Sequence, residues 1–480
     1  SCKIIAWQIS RGVIREVQSF YEVQHPQTGY AEQDPEVIKS AFIECAKKIM
    51  RNLPGPPVAM GFSSAMHSLI LLDKENKVIH PMLTWEDNRS HAIAENLRNS
   101  KYGKYLYVHT GTPIHSMSPL CKIAWFRENK KQIFSKTAKF IGIKEYLWHW
   151  MFGIFETDYS IASATGIFNI RNLRWDNKAL DFCKIEAGQL PDAVKTTTIR
   201  TNPSREFSQT TGLPATMQFC IGASDGCMAN VGSGVHGNGK AVLTIGTSGA
   251  IRITSPQPIV DSKTMIFNYL LDDKVFVSGG PINNGGTTLL WLFKVLLNIG
   301  EPQQSDFDNL ESMLTTIAPG SEGLICIPWF LGERAPVWDE MAKGVWFGLT
   351  YKHNRVHLIK AAMEGVCFTL RVILESLEKN SGSINTLSIG GGFTKSAQWV
   401  QMMADITHKK LIIQQSGDAS ATGAALWTLQ TLTGKSQHIK STSKRIINPQ
   451  KKHTAIYDKQ FRVFRELYEL TKKQMHILQS

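Results

Sequence analysis

One arrangement of strands, glycine loops and helices occurs twice along this chain, and that repetition restricts the fold more than any other feature. Near the start, Lys3 to Gln8 and Val13 to Tyr21 read as strands around a turn at Ser10-Arg11-Gly12. Asp34-Pro35-Glu36 then opens a helix, with an acid at the N-cap and proline at the first helical position. Val37, Ile38, Phe42, Ile43, Ala46, Ile49 and Met50 recur at helical spacing up to Leu53. Pro54-Gly55-Pro56-Pro57 breaks the helix, and Val58 to Phe62 reads as a short buried strand. The pattern restarts near Lys240. Ala241 to Ile245 is a strand, Gly246-Thr247-Ser248-Gly249 a tight loop, and Ala250 to Thr254 a returning strand. The stretch from Gly232 to Gly239 is rich in glycine and has the character of a boundary.

The chain therefore divides near residue 238 into two α/β halves, 1–238 and 239–480. A cleft between two such halves is a natural place for a substrate. The halves differ in one respect. The second has a strand and a Gly-Thr-Ser loop ahead of its returning strand, whereas the first begins at Ser1-Cys2-Lys3, already on the returning strand. As duplicates, the first would lack its opening strand and loop.

Composition narrows the class. With 480 residues, 42% hydrophobic and only 19% charged, the chain can bury large cores and is globular rather than disordered. No apolar run approaches the roughly 20 residues of a membrane helix; Tyr146 to Phe155 is about half that long and carries His149. The eight cysteines include no Cys-x-x-Cys pair, which reads as reduced, buried thiols in a cytoplasmic protein. A net charge of +13 suits polyanions, nucleic acids or phosphate-bearing substrates among them. The basic stretch from Lys435 to Lys473 also holds Tyr457, Phe461, Phe464 and Tyr468 at helical spacing. It reads as an amphipathic C-terminal helix with a solvated basic face, in preference to a nucleic-acid surface.

Several short motifs carry chemistry, each with two readings. Gly246-Thr247-Ser248-Gly249 is either a plain hairpin turn or a loop whose amides and hydroxyls meet a phosphate. Gly390-Gly391-Gly392-Phe393-Thr394-Lys395-Ser396 follows the strand Leu387-Ser388-Ile389 and precedes a helix through Trp399, Met402, Met403 and Ile406. That order suits nucleotide binding or tight packing, and it has neither Rossmann nor Walker spacing. In Gly222-Ala223-Ser224-Asp225-Gly226, Asp225 is either a cap or a carboxylate able to take a proton from an attacking hydroxyl. His67, Trp85, Asp87, Arg89, His115 and Met117 follow short strands in the first half. There Trp offers an apolar face, Asp and His bond hydroxyls, and Arg suits an acidic group.

In their order, these motifs resemble the FGGY family of carbohydrate kinases. Met117-x-Pro119-x-x-Lys122-Ile123-x-Trp125-Phe126-x-Glu128-Asn129 fits the family's first signature. Gly344-x-Trp346-x-Gly348-Leu349 with, further on, His357-Leu358-x-x-Ala361-Ala362-Met363-Glu364 fits the second. The resemblance implies two ribonuclease-H-like, actin-like ATPase domains with the active-site cleft between them, the first binding sugar and the second nucleotide. By motif match, Asp225 takes the general-base position. Gly246, Thr247, Ser248, Gly286, Gly391, Gly392 and Ser396 take nucleotide positions, and His67, Trp85, Asp87, Arg89, His115 and Met117 line the sugar side.

Within the family, Thr84 to Ser90, Pro113-Ile114-His115, Gly142 to Tyr146, Ala164-Thr165-Gly166, Gly279 to Gly286 and Gly332 to Pro336 look most like gluconate kinases. The implied reaction is D-gluconate plus ATP giving 6-phosphogluconate plus ADP, with Mg²⁺; no metal ligand is assigned, and a homodimer is compatible. There are two departures. Family members open on a strand ending in Asp-x-Gly-Thr-Thr, and Ser1-Cys2-Lys3 matches the residues just after that loop. Ala65 stands where many relatives have Gln. The expectations are thus an active gluconate kinase, or else a kinase for another sugar such as xylulose, or a non-catalytic relic that binds sugar or nucleotide.

Overall fold

The computed structural model describes residues 1–51, 53–234, 239–414, 418–435 and 444–478. The stretch Val235-His236-Gly237-Asn238, where the sequence places the boundary, lies outside the described residues, as does 436–443 of the basic region.

Seven strands form the sheet of the second half, in the order 267–272, 275–282, 249–255, 240–245, 386–390, 410–414 and 444–447. Lys240–Ile245 is its axis, antiparallel to Gly249–Ser255 on one side and parallel to Thr386–Gly390 on the other. Ala241, Val242, Leu243 and Ile245 are all buried, because helices cover a central strand on both faces and its sequence becomes a continuous apolar run. The long helix Arg355–Ser381 lies under the sheet, opened by Asn354, whose side chain accepts from the amides of Val356 and His357. The helix Thr454–Ile477 packs on it through Phe368, whose ring lies 5.9 Å from Phe461 and 5.4 Å from Phe464. The aromatic stripe read in the sequence is therefore core, while Lys459, Arg462, Arg465, Lys472 and Lys473 face solvent. The helix covers only part of the basic stretch, since Lys444–Ile447 is instead an edge strand of the sheet.

The first half repeats much of this plan. Ala59–Ser64 runs parallel to Gln218–Ser224, which is antiparallel to Ile199–Arg200, matching the order 386–390, 410–414, 444–447. Cys2–Gln8 and Gly12–Ser19 form an antiparallel hairpin that matches 249–255 and 275–282. A groove of about 1020 Å³ lies between Cys2–Ile9 and Ala59–Met66 and reaches Asp225, Asp418 and Ser420. This groove explains two differences from expectation. The strand expected as buried over 58–62 is half-buried over Ala59–Ser64, and Val58 is exposed, because one edge of the strand borders the groove. The preceding helix, Pro35–Met50, stops short of Leu53, in keeping with the reluctance of a residue before proline to stay helical. A smaller sheet, ordered 32–33, 78–83, 69–72, 139–141, carries the loops of the sugar side.

The halves meet where helix Asp225–Gly232 crosses helix Ala419–Thr433. A Cβ on Gly232 would lie 1.8 Å from the Ala419 carbonyl oxygen, and one on Gly423 would lie 1.8 Å from that of Met228. Two backbones touch here, and neither can yield as a side chain would. Cys220, Ala223, Cys227, Met228, Leu426 and Trp427 form a core around the crossing. Gly423→Val should therefore cost about 3 kcal/mol or more, at the upper end of overpacking penalties, seen as a lower urea midpoint. Gly188→Ala, at a glycine with nothing within 4 Å, should leave the midpoint unchanged.

Candidate active site

The geometry starts from a bulge. In the parallel pair, Cys220 faces Gly61 but Ala223 faces Ser63, so one extra residue is inserted into the strand just before Asp225. Gly222 holds φ +65°, and a Cβ there would lie 1.9 Å from the Phe62 carbonyl oxygen. Bulges re-aim the side chains that come after them. Here the strand ends at Ser224, whose hydroxyl accepts from the Cys227 amide as a helix cap, and Asp225 becomes the first residue of the helix. The two readings of Asp225 separate at this point: Ser224 is the cap, and the Asp225 carboxyl is left open to the cleft floor. Its surroundings are nonetheless protein, and this desolvation raises its pKa, with Arg252 opposing.

Around it stand groups from both halves. Arg252, on the strand Gly249–Ser255, and Arg334 each have no carboxylate within ion-pairing distance among the described residues. The Arg334 guanidinium lies 5.0 Å from the centre of the Trp85 ring and donates to Asn283 Oδ1 at 2.7 Å and the Ile282 carbonyl at 3.1 Å. Burial lowers its pKa to about 10, leaving it charged. Burial also lowers His67 to about 3 and His115 to about 4, so both rings are neutral. His67 Nε2 lies 3.3 Å from the Tyr269 hydroxyl, and His115 Nε2 lies 3.1 Å from Glu340 Oε1. Neutral imidazoles can hydrogen-bond hydroxyl groups without adding charge.

Not every expected sugar-side residue reaches the cleft. Arg89 is buried, ion-paired with Asp87 and Glu32, and its guanidinium lies 3.7 Å from the centre of the Tyr30 ring. Asp87 accepts from the Ala31 amide as well. Both are committed inside the first half, so the acid-holding role expected for Arg89 has no free donor face to support it. Met117 is buried in the main core; Met66, beside Gly226, is the methionine nearer Asp225. Trp85 lines the groove, whereas His67 is buried against Tyr269, and a buried lysine sets both their loops. Lys122 Nζ donates to the carbonyls of His67 at 2.7 Å and Thr84 at 2.6 Å. Burial lowers its pKa to about 7. His67 sits at φ +67°, a conformation that a non-glycine residue holds only when its surroundings impose it.

On the other side, three glycine segments converge at the end of strand Lys240–Ile245. The amides of Gly286 and Thr287 donate to the carbonyls of Gly246 at 2.7 Å and Thr247 at 3.1 Å. A Cβ on Gly286 would lie 2.5 Å from the Gly246 oxygen, and one on Gly391, at φ +98°, would lie 2.2 Å from the Ile245 oxygen. Gly246, Thr247, Gly391 and Gly392 remain exposed on this cradle, with Ser248 partly so. Ser396 does something else: its hydroxyl accepts from the Trp399 amide and donates to Glu311 Oε2 at 2.7 Å. Glu311 also accepts from the Gln398 amide, so the N-terminus of helix Ala397–Thr407 already faces a carboxylate. Arg252, Tyr269, Arg334 and Lys122 were not singled out as site residues by the sequence. A lone arginine in the apolar strand Ala250 to Thr254 was the signal available for the first.

Two linked α/β halves, the Asp225 carboxylate on the floor between them and a glycine cradle opposite suit a phosphotransferase cleft. The chain belongs to the FGGY family of carbohydrate kinases: the family's N-terminal domain matches residues 1–232 and its C-terminal domain 241–430. It is 37% identical over 481 residues to the gluconokinase of Bacillus subtilis (strain 168), covering 98% of this chain and 93% of that one. The gluconate kinase structure from Lactobacillus acidophilus superposes with a TM-score of 0.92 at 30% identity, over 98% of this chain and 95% of that one. A ligand-bound xylulose kinase from the same organism gives 0.93 at 30% identity, over 99% and 97%.

Lys122→Met should loosen both loops together. The expected result is a sugar KM raised by about 10-fold or more with the nucleotide KM unchanged, as expected for lost positioning, measured by steady-state kinetics on a protein shown to fold by circular dichroism.

Proposed function

We propose that this chain phosphorylates D-gluconate to 6-phosphogluconate at the expense of ATP. The observation that carries the substrate is the likeness to gluconokinase over nearly the full length of both chains. The cleft supports it: Arg252 and Arg334 bring positive charge that no carboxylate among the described residues pairs with, which suits a polyol bearing a carboxylate. With Arg89 committed elsewhere, Arg334 over Trp85 is the side chain placed to meet that acid.

Asp225 accepts the proton of the substrate's terminal hydroxyl as its oxygen attacks the γ-phosphoryl in line, and ADP leaves. Gly246, Thr247, Ser248, Gly286, Gly391 and Gly392 form the nucleotide cradle, whose close backbone packing leaves no room for side chains at Gly286 and Gly391. Mg²⁺ supplies charge neutralisation at the phosphates, keeps several waters and needs only one or two protein carboxylates. That fits a chain in which, among the described residues, no group of three or more His, Cys, Asp or Glu is placed to hold a metal. No helix among the described residues is long and apolar enough to cross a membrane, and the eight cysteines are free thiols. Both features suit work in the cytoplasm, where thiols stay reduced.

A coupled ADP-release assay over gluconate, xylulose, ribulose and glycerol tests the substrate. Gluconate should lead in kcat/KM by about 10-fold or more, since a site built for a polar group rejects analogues lacking it. A lead for xylulose would replace the substrate and keep the class. Asp225→Asn should lower kcat by about 10²- to 10⁴-fold, the usual worth of a positioned base, with gluconate affinity within several-fold. Because the base must be ionised and its pKa is raised, wild-type activity should fall as pH drops through a limb above the ordinary Asp value of 3.8.

A further inference from the structure

Lys144 is buried on the helix Ile143–Phe152, with its side chain 2% exposed. Its ammonium group is 2.6 Å from Asp158 Oδ2 and donates to the carbonyls of Ile221 at 3.0 Å and Ala223 at 3.1 Å. Those two carbonyls flank Gly222, the left-handed residue of the bulge that precedes Asp225. Three donors thus meet three oxygens, and the bulge is closed around a cation. The other oxygen of Asp158 accepts from the amides of Ser160 and Ile161 and starts the short helix Tyr159–Ser163. Ser160 in turn donates to Ser224 Oγ at 2.7 Å and accepts from the Ser224 amide at 3.2 Å. One connected set of buried groups therefore fixes the residues on the strand side of Asp225.

A buried ion pair seldom adds net stability, because desolvation of both charges offsets their attraction, and well-packed apolar residues often serve as well. Packing alone gives no reason for Lys144 and Asp158. What the pair does achieve is to satisfy two carbonyls that the bulge turns away from the sheet.

We propose that Lys144, held by Asp158, is a positioning residue for phosphoryl transfer: it locks the bulge at Gly222 and thereby aims the Asp225 carboxylate at the substrate hydroxyl. This rests on the reading of Asp225 as the base. Lys144 also contributes positive charge near that carboxylate. The other titratable groups around it are Arg252 from strand Gly249–Ser255, Tyr269 from strand Phe267–Asp272 and, on the same groove, Asp418 at the start of helix Ala419–Thr433. Removing the ammonium should therefore displace the carboxylate and also move its titration upward.

Lys144→Met leaves Asp158 buried without a partner and can fail to fold, so the decisive variant is Lys144→Gln/Asp158→Asn, which removes both charges and keeps hydrogen-bonding groups. In the folded double variant, kcat should fall by about 100-fold, the size expected for a misplacement near 1 Å. The gluconate and ATP KM values should stay within about 3-fold, a split expected when ground-state binding is kept, and the acid limb of the pH–rate profile should move to higher pH. Lys144→Arg should recover part of the rate. A crystal structure of the double variant should show the Asp225 carboxylate displaced. A folded variant with wild-type kcat, or one whose limb and carboxylate stay in place while the rate falls, overturns the proposal. Asp225→Asn retaining turnover, with the carboxylate displaced in the double variant, would instead remove the base reading and leave the positional role standing.

Discussion

The crossing of helices 225–232 and 419–433 is the contact on which the active cleft depends. Gly232 and Gly423 let the backbones meet, so Asp225, at the first turn of one helix, is brought beside Asp418 and Ser420 at the start of the other. Ser63 Oγ lies 2.5 Å from Ser420 Oγ, and a Cβ on Gly61 would lie 1.7 Å from Thr428 Oγ1, so strand Ala59–Ser64 is drawn to the same crossing. Asp225 and the walls around it are thus referenced to one small-residue contact. Any side chain there would separate the halves at the place where substrate and phosphoryl donor must meet.

A recurring device sets the loops that radiate from this point. Among the described residues, three buried lysines hold main-chain carbonyls instead of facing solvent: Lys122 on those of His67 and Thr84, Lys144 on the strand leading to Asp225, and Lys360 on those of Leu314 and Ile317. An ammonium group offers three donors in any direction on a long stem, so one side chain can tie together strands and turns that have no ladder of their own. Irregular backbone in a protein interior needs such partners.

How much could be read from the sequence depends on how local each feature is. The Asp34 cap, the start of the helix at Pro35, the strand–loop–strand around Gly246 and the aromatic face of the last helix are set by neighbours in the chain, and they appear as expected, although the first helix ends at Met50 rather than Leu53. Arg89 and Met117 pack inside the first half, because residue type says what a side chain can bond, whereas burial decides what it meets. Arg89 finds Asp87 two residues away and Glu32 across the small sheet, a partner that no local pattern announces. Arg252 and Tyr269 escaped notice for the converse reason: each lies on a strand whose apolar neighbours advertise core, and only the approach of the other half turns those positions into cleft wall.

The electrostatics of the cleft are a consequence of that arrangement. Neutral His67 and His115 and the hydroxyl of Tyr269 offer hydrogen bonds without charge, while Arg252 and Arg334 offer charge with no carboxylate paired to them among the described residues. Arg252 lies close enough to Asp225 to lower its pKa, yet outside ion-pairing distance, so the carboxylate is stabilised without being neutralised by a direct partner. A base in a tight salt bridge would be ionised but weak; one with no cation nearby would be basic but protonated. On the proposed reading of Asp225 as the base, an arginine near it but not ion-paired with it avoids both extremes. It also leaves the arginine free to face negative charge that develops on a transferring phosphoryl group, the moment at which an unpaired guanidinium in a water-poor cleft contributes most.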